Sequence, residues 1–354
     1  MRNYEYSIEP KIVFGLNSID RIAEFIENIS DKKNVAIISD PGGWIEPILR
    51  RITDNLNTRG FQLTGKFNQI SPNPKKSECI NGIELLKSCD CNIFIAVGGG
   101  STIDASKFII KNMGCEAFIA IPTTAGTGSE MNEWAVITED ETHVKVSLRC
   151  KAPDIALLDP VVTVSVPPMV SLHTGMDALS HGIEAIMSKT STTITDLLAY
   201  EGCRKILNNI EEVVENGNNL VARSCLLEGS MMTGIAMANG GLGMVHAIAN
   251  ILPGFWEGVS HGEICSKLLV PVVEYNRNAI DFNKYIKVYP MAQKAELIMK
   301  KFEEKFNFLE MDLDKEIVSK VVPLCVMNIN AESNPEKIDE VHLEKVIKTA
   351  FNVV

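Results

Sequence analysis

Asp177 and His181, two residues that can bind a metal ion, lie four positions apart in Met-Asp-Ala-Leu-Ser-His-Gly-Ile-Glu-Ala. Two further histidines, His246 and His261, follow in a glycine-rich stretch. If residues 172–187 form a helix, a spacing of four places carboxylate and imidazole on one face, one turn apart. One carboxylate and three imidazoles suit Zn²⁺ or Fe²⁺ and leave room for a substrate oxygen, which favours Lewis-acid chemistry over a structural metal.

The ordinary interpretation of an Asp and a His four apart is a surface pair or a buried hydrogen bond. The neighbouring residues favour ligation, because they are small and apolar, and polar side chains buried among them need partners of the kind that a metal supplies. The chain has six histidines, and no second cluster of histidines and carboxylates competes elsewhere in the sequence. We therefore predict a metal site at Asp177, His181, His246 and His261.

Two glycine-rich turns are candidates for binding phosphate. The first, Ala96-Val-Gly-Gly-Gly-Ser101, follows a predicted strand and precedes a helical pattern that begins at Ile103. Glycines allow close approach of the backbone to an anion, and the free N–H groups and the dipole of a helix start attract phosphate. The second, Pro122-Thr-Thr-Ala-Gly-Thr-Gly-Ser-Glu130, offers hydroxyls and amides to a pyrophosphate or a ribose, and a simple turn of small residues is equally consistent with it.

An acid ends another predicted strand, at Asp40. A carboxylate there can accept hydrogen bonds from the two hydroxyls of an adenosine ribose and would repel a 2′-phosphate, which predicts NAD over NADP. The usual Gly-x-Gly-x-x-Gly fingerprint is missing, so the expectation of a Rossmann-like domain depends on the arrangement of strands and turns.

The elements that must position these residues change in character along the chain. Up to about residue 162, short apolar strands alternate with helical patterns, which is typical of a parallel sheet covered on both faces. The predicted strands begin near residues 34, 61, 92, 118 and 155, and the helical patterns span 47–59, 77–88 and 103–113. Beyond residue 162, long helical patterns dominate. We predict an α/β dinucleotide-binding domain over 1–162 and an all-helical metal-binding domain over 163–354.

Composition narrows the class of protein further. The chain has 354 residues, of which 22% are charged, and a formal charge of −11, which excludes a general binder of nucleic acid or of a membrane surface. Nine cysteines are scattered without paired short spacings. The sequence also has no leader-like apolar segment and no uninterrupted apolar run of about 18 residues. Together with the scattered cysteines, these features predict a cytoplasmic protein.

Together the motifs resemble the iron-containing, or group III, alcohol dehydrogenases. The resemblance runs in order from about Tyr6 to Phe351, and the segments that carry it are 98–107, 121–130, 158–160, 174–184 and 241–247. It implies an N-terminal α/β domain related to dehydroquinate synthases, a helical C-terminal domain, an active site in the cleft between them, and a homodimer.

The resemblance also assigns roles to single residues. The metal positions fall on Asp177, His181, His246 and His261, the pyrophosphate turn on Gly98, Gly99, Gly100, Ser101 and Asp104, and the second nucleotide loop on Thr123, Thr124 and Thr127. Lys145 matches a lysine that approaches the cofactor, and Asp40 matches the acid of NAD-preferring members. One departure is Asn250, which stands where many members carry a histidine implicated in proton movement, so we consider water, the cofactor ribose or His173 as the proton relay.

We expect reversible hydride transfer between NAD(H) and a small primary alcohol or aldehyde, with Fe²⁺ or Zn²⁺ as the metal. Arg149 and Lys151 leave open a substrate with an anionic group, although solvated surface residues are the commoner case. A dehydroquinate-synthase-like lyase is the alternative, and it is disfavoured because the segment between His246 and His261 holds Glu257 as its single charged residue. A catalytically silent sensor is a third reading, against which the complete donor set argues.

Overall fold

A computed structural model describes residues 3–142, 144–256, 258–306 and 312–354. The chain forms two compact units. The α/β unit consists of Ile8–Val166 with Gly217–Leu227, and the helical unit of Pro167–Asn216 with Glu228–Val354 and the N-terminal residues through Ser7.

The α/β unit is built on a six-stranded parallel sheet with the strand order β1-β8-β5-β4-β2-β3. Its strands are β1 (Lys11–Phe14), β2 (Asn34–Ser39), β3 (Gln62–Phe67), β4 (Ile93–Gly98), β5 (Ala117–Pro122) and β8 (Ile155–Leu158). An antiparallel hairpin of β6 (Trp134–Thr138) and β7 (Lys145–Arg149) lies outside this sheet. The helices of the unit are α1 (Ile22–Glu27), α2 (Glu46–Thr58), α3 (Lys76–Lys87) and α4 (Gly100–Met113).

The central strands β2, β4, β5 and β8 are largely apolar and buried because both faces of the sheet are covered. Along β2, Val35 and Ile37 pack with α1 and α2, whereas Ala36 and Ile38 pack with α3 and α4. The same alternation continues in β4 and β5. The expected two-sided parallel sheet is confirmed, and it brings the carboxyl ends of β2, β4 and β5 side by side.

The helical unit consists of long helices and one short strand pair. The helices are α5 (Pro168–Met187), α6 (Thr193–Glu215), α7 (Leu220–Gly240), α8 (Met244–Ala249), α9 (His261–Tyr275), α10 (Phe282–Phe306), α11 (Lys315–Val326) and α12 (Glu340–Ala350). The first residues of α7, through Leu227, belong to the α/β unit. The strands β9 (Asp312–Leu313) and β10 (Asn352–Val353) form a parallel pair. An α/β N-terminal domain followed by a helical one therefore agrees with the predicted fold class.

The helix α5 is the centre of this unit, since every residue from Gly175 to Met187 is buried. The start of α9 packs so closely on α5 that a Cβ atom at Gly262 would overlap the carbonyl oxygen of His173. Glycine is therefore required at that crossing, and the close approach fixes where His261 begins its helix.

The strands β1, β6 and β7 were not predicted from the sequence, nor were α1, β9 and β10. β1 has four residues and lies at the end of the sheet, and the hairpin strands β6 and β7 have only half-buried or mixed patterns. Within the described residues, no single helix is long and apolar enough to cross a membrane, while one bent pair, Leu220–Gly240 with Met244–Gly254, meets the length and composition of such a span.

Candidate active site

Asp177 and His181 lie one turn apart on α5, as the spacing predicted, and both side chains are buried. Asp177 Oδ1 is 3.6 Å from His181 Nε2. The helix presents these two polar groups inside an otherwise apolar interior, where polar side chains are costly unless they have partners.

The other two predicted ligands reach the same carboxylate oxygen. His246 on α8 places Nε2 at 3.3 Å from Asp177 Oδ1, and His261, the first residue of α9, places Nε2 at 3.4 Å from it. The rings of His181 and His246 are stacked with centroids 4.5 Å apart. The structure thus brings together all four residues that the sequence singled out.

These separations fit a metal ion. Nitrogen and oxygen ligands about 2.1 Å from one ion lie about 3.4 Å apart when they are arranged tetrahedrally. The distances from Asp177 Oδ1 to the three Nε2 atoms, 3.3 to 3.6 Å, agree with that spacing. The donor set of one carboxylate and three imidazoles is also one that Zn²⁺ and Fe²⁺ accept.

Two hydrogen bonds hold imidazole rings with Nε2 toward Asp177. His246 Nδ1 is 2.6 Å from Glu184 Oε2, and the same carboxylate accepts a hydrogen bond of 2.6 Å from the Val245 amide. His261 Nδ1 lies 2.9 Å from the carbonyl oxygen of Ala249. When Nδ1 donates in this way, the lone pair of a neutral ring is on Nε2, which is the atom a metal needs.

Glu184 was not singled out as a functional residue by the sequence reasoning. A signal was present, because Glu184 lies seven residues after Asp177 and therefore on the same face of α5, two turns further along. A buried glutamate on a ligand-bearing helix needs a partner, and His246 is that partner.

The cluster is strongly coupled electrostatically. Burial acts to raise the pKa of Asp177, but His181 and His261 outweigh it and hold that pKa well below its ordinary value. Burial acts to lower the pKa of His261, but Cys265 and Asp177 raise it to about 9. A proton on His261 therefore supplies positive charge beside Asp177, which is the charge that a bound metal ion would provide.

A cysteine also belongs to this cluster. Cys265 lies on α9 one turn after His261, and its Sγ atom is 3.8 Å from Asp177 Oδ1 and 3.9 Å from His246 Nε2. The sequence reasoning treated the cysteines as scattered and missed it. The available signal was its spacing of four from His261.

The two phosphate-binding candidates lie on neighbouring strands of the α/β unit. The glycine turn joins β4 to α4, the threonine-rich loop follows β5, and Gly98 pairs with Pro122 in the parallel register. A Cβ atom at Gly100 would overlap the side chain of Thr127. The glycine turn and the second loop therefore pack against each other at the carboxyl ends of the strands, which is where open α/β sheets bind ligands.

Asp40 is joined to the glycine turn. Its carboxylate accepts hydrogen bonds from the Thr102 hydroxyl, from the Gly99 amide at 3.1 Å and from the Thr123 hydroxyl at 3.5 Å. Burial raises the pKa of Asp40, and these hydrogen bonds counteract the rise. Asp40 thus shapes the turn, and its contact with a ribose stays a prediction.

Asp104 has protein partners as well. It accepts hydrogen bonds from the Ser129 hydroxyl and from the Val136 amide at 2.9 Å, and it lies 3.6 Å from Nζ of the fully buried Lys107. Lys107 donates in turn to Ser129 Oγ at 2.7 Å. The pair ties α4 to the second loop, so a direct contact of Asp104 with a cofactor stays a prediction.

Three other residues predicted to bind the cofactor, Ser101, Thr124 and Lys145, differ in their surroundings. Ser101 Oγ accepts a hydrogen bond of 3.2 Å from the Asn73 amide, and Thr124 Oγ1 would lie 3.4 Å from a Cβ atom at Gly99. Lys145 begins β7 and is half-buried. Its role toward a cofactor stays a prediction.

The structure also describes the residues considered for proton transfer and the two cations considered for binding an anionic substrate. Burial lowers the pKa of His173 to about 4, so this ring is neutral at pH 7. Asn250 caps the end of α8. Arg149 lies 3.3 Å from Glu133, and Lys151 lies 2.8 Å from Asp154, so both cations have acidic partners. Glu257 lies outside the described residues.

Comparisons with known proteins agree with this geometry. Residues 9–160 match the family model of iron-containing alcohol dehydrogenases, and residues 171–351 match the model of the C-terminal part of the Fe-containing alcohol dehydrogenase family. The chain therefore belongs to the iron-containing alcohol dehydrogenase family, and it is an oxidoreductase that acts on CH–OH groups.

Individual relatives support the same assignment. The chain is 32% identical to a 1-propanol dehydrogenase of Citrobacter freundii over 278 residues, which cover 77% of this chain and 73% of that protein. It is 27% identical to the NAD-dependent methanol dehydrogenase of Bacillus methanolicus, with 98% and 99% covered. A crystal structure of a 1,3-propanediol oxidoreductase superposes with a TM-score of 0.90 at 26% identity and covers 99% of this chain and 100% of that one.

Proposed function

We propose that this protein interconverts a small primary alcohol and its aldehyde with NAD(H), using a divalent metal held by Asp177, His181, His246 and His261. The observation that carries the proposal is the convergence of three Nε2 atoms on Asp177 Oδ1 at 3.3 to 3.6 Å. A metal held by these residues would supply Lewis acidity toward the alcohol oxygen, and NAD⁺ would supply the hydride acceptor.

The protein's own groups prepare this chemistry. Asp177 is the one carboxylate among the four proposed ligands, so a divalent ion held by them would keep a net positive charge that favours the alkoxide. Glu184 and the Ala249 carbonyl orient two of the imidazoles, which keeps their lone pairs directed at the same point. Water or the cofactor ribose would accept the proton of the alcohol. His173 is disfavoured for this role, because its lowered pKa makes the ring a weak base.

NAD is proposed from the glycine turn and the second loop at the carboxyl ends of β4 and β5. The NAD-dependent relative from Bacillus methanolicus supports this choice of cofactor. Gly98, Gly99, Gly100 and Ser101 would face the pyrophosphate through their amides, with Thr123, Thr124, Thr127 and Lys145 around them. Asp104 would position the second loop, and Asp40 would disfavour a 2′-phosphate.

A short neutral substrate is favoured over an anionic one. Arg149 and Lys151, the cations that left an anionic group open, are paired with Glu133 and Asp154. The relatives named for 1-propanol and methanol act on alcohols of this kind. The choice between Fe²⁺ and Zn²⁺ stays open for a set of nitrogen and oxygen ligands.

The experiment is a screen of purified protein with NAD⁺ and short alcohols, in which NADH formation is followed by absorbance. We expect net NADH with at least one short primary alcohol, and loss of both turnover and bound metal in His261→Ala. The matched control is His342→Ala, which removes an exposed imidazole that bonds Asp339 and should leave both unchanged. Full turnover of His261→Ala after chelator treatment would contradict the proposal, and an absence of net NADH with every alcohol would favour the lyase alternative.

A further inference from the structure

Cys265 lies at the centre of the donor cluster with no exposed surface. One donor atom from each of Asp177, His246, His261 and Cys265 lies within 4.8 Å of the others, and His181 falls outside this mutually close set. Within the part of the chain that the structure describes, this is the one group of such donors that could hold a metal ion.

A buried cysteine is ordinarily a small apolar side chain. Cys203 illustrates this case, since its Sγ lies 3.7 Å from a backbone carbonyl, that of Leu179, on a neighbouring helix. The contacts of Cys265 are different in kind, because they are to a carboxylate oxygen and an imidazole nitrogen that both belong to the proposed metal ligands.

The distances also fit a sulfur ligand. A sulfur about 2.3 Å and an oxygen about 2.1 Å from one ion lie about 3.6 Å apart at the tetrahedral angle. The observed separations of Sγ from Asp177 Oδ1 and from His246 Nε2 are 3.8 and 3.9 Å. A shift of Sγ by a few tenths of an ångström would therefore bring it to the spacing expected around one ion.

The α9 helix explains how one element supplies two donors. His261 and Cys265 are separated by four residues and share a face, as Asp177 and His181 do on α5. The crossing of α9 over α5 at Gly262 holds both side chains against Asp177.

We propose that the Cys265 thiolate is a further ligand of the metal ion held by Asp177, His181, His246 and His261. This rests on the proposed function, because it takes the metal centre as given and adds a donor to it. The thiol proton leaves as the sulfur–metal bond forms, and no electron is transferred. Sulfur is a soft donor, so the site binds Zn²⁺ and Co²⁺ more tightly than a site of nitrogen and oxygen ligands alone.

The test is reconstitution of the metal-free full-length protein with Co²⁺ under anaerobic conditions, followed by absorption spectroscopy. Wild type should show visible ligand-field bands together with a near-ultraviolet charge-transfer band from thiolate to cobalt. Cys265→Ser should retain the ligand-field bands and lose the charge-transfer band. Its Zn²⁺ affinity, measured by competition with a chromophoric chelator, should fall about tenfold or more.

The matched control is Cys79→Ser, which removes another fully buried thiol in the α/β unit and should keep both kinds of band. Cys265→Ala serves if the serine variant fails to fold, and it should show the same loss. Ligand-field bands without any charge-transfer band in wild type would overturn the role of Cys265 and leave the metal centre intact. A wild type that binds no Co²⁺ would overturn both this inference and the proposed metal centre.

Discussion

The candidate sites of the two units consist of different kinds of chemical group. In the helical unit, the donors are side chains that three helices, α5, α8 and α9, bring to one carboxylate oxygen, with separations of 3.3 to 3.6 Å to the three imidazoles. In the α/β unit, the candidate nucleotide site consists of backbone amides and small hydroxyls at the ends of β4 and β5. A site made of side chains depends on the helix packing that brings its donors together, whereas a site made of backbone depends on the space that its glycines leave.

The largest effect is expected where an added atom disturbs the side-chain site. Gly262→Ala places a Cβ atom against the His173 carbonyl, so α9 must shift and carry His261 away from Asp177. We expect loss of bound metal and destabilisation of about 3 kcal/mol, at the upper end for overpacking. Metal analysis and thermal unfolding measure this, with Gly240→Ala as control because a Cβ atom there meets only ordinary contacts at 3.5 Å. Unchanged metal content would contradict the role of the crossing.

Removing an orienting group should weaken the same site less. Glu184→Gln puts an amide where the carboxylate accepts from His246 Nδ1 and from the Val245 amide. We expect metal affinity to fall about 10- to 100-fold, with NAD affinity unchanged. Competition with a chelator measures the metal affinity, and Glu201→Gln, an exposed pair with Arg204, is the control. Equal affinities in the two variants would show that Glu184 does not orient His246.

An atom added to the glycine turn should lower the affinity for NAD without changing the metal content. Gly100→Ala forces the second loop away from α4 because its Cβ atom would overlap Thr127. We expect NAD affinity to fall about tenfold, for a cost of about 1.4 kcal/mol, while metal content is unchanged. Isothermal titration with NAD⁺ measures this, and Gly43→Ala is the control, since a Cβ atom there meets nothing within 4 Å. Normal NAD affinity would place the cofactor elsewhere.

A further effect, on stability, concerns Glu130, a buried acid at the end of the second loop. Burial raises the pKa of Glu130 from 4.5 to about 7. As pH rises from about 4.5 to about 7, the unfolded chain releases this proton and the folded chain retains it, so stability is lost over that window. Glu130→Gln should therefore match wild type near pH 4 and exceed it at pH 8, by at most about 3 kcal/mol. Thermal unfolding at both pH values measures this, and a difference that does not change with pH would be inconsistent with it.

The sequence predicted the parts of the molecule that follow a regular period. The spacing of Asp177 and His181 indicated one face of a helix, and that helix is α5. The alternation of apolar strands with helices indicated the parallel sheet. The fold class and the family are confirmed, whereas the short β1 and the hairpin of β6 and β7 lack a strong apolar pattern and were not predicted.

The parts that were missed depend on contacts between distant segments. Glu184 and Cys265 share helix faces with Asp177 and His261, but only the packing of α5, α8 and α9 shows that they meet the same cluster. The family resemblance assigned Asp104 to the pyrophosphate turn, and that assignment stays a prediction, whereas its protein partners were not predicted. Its hydrogen bonds with Ser129 and Val136 join segments 25 and 32 residues apart, which no local pattern indicates.

The proposed metal centre is made of side chains and the proposed nucleotide site of backbone groups, and turnover should need both sites. Asp177→Ala tests this requirement most directly, by metal analysis, NAD⁺ titration and NADH formation on one preparation. We expect wild type to hold about one metal ion per chain, and the variant to lose the ion and turnover while its NAD affinity stays within about twofold of wild type. A variant that retains its metal and oxidises alcohol at the wild-type rate would contradict the account.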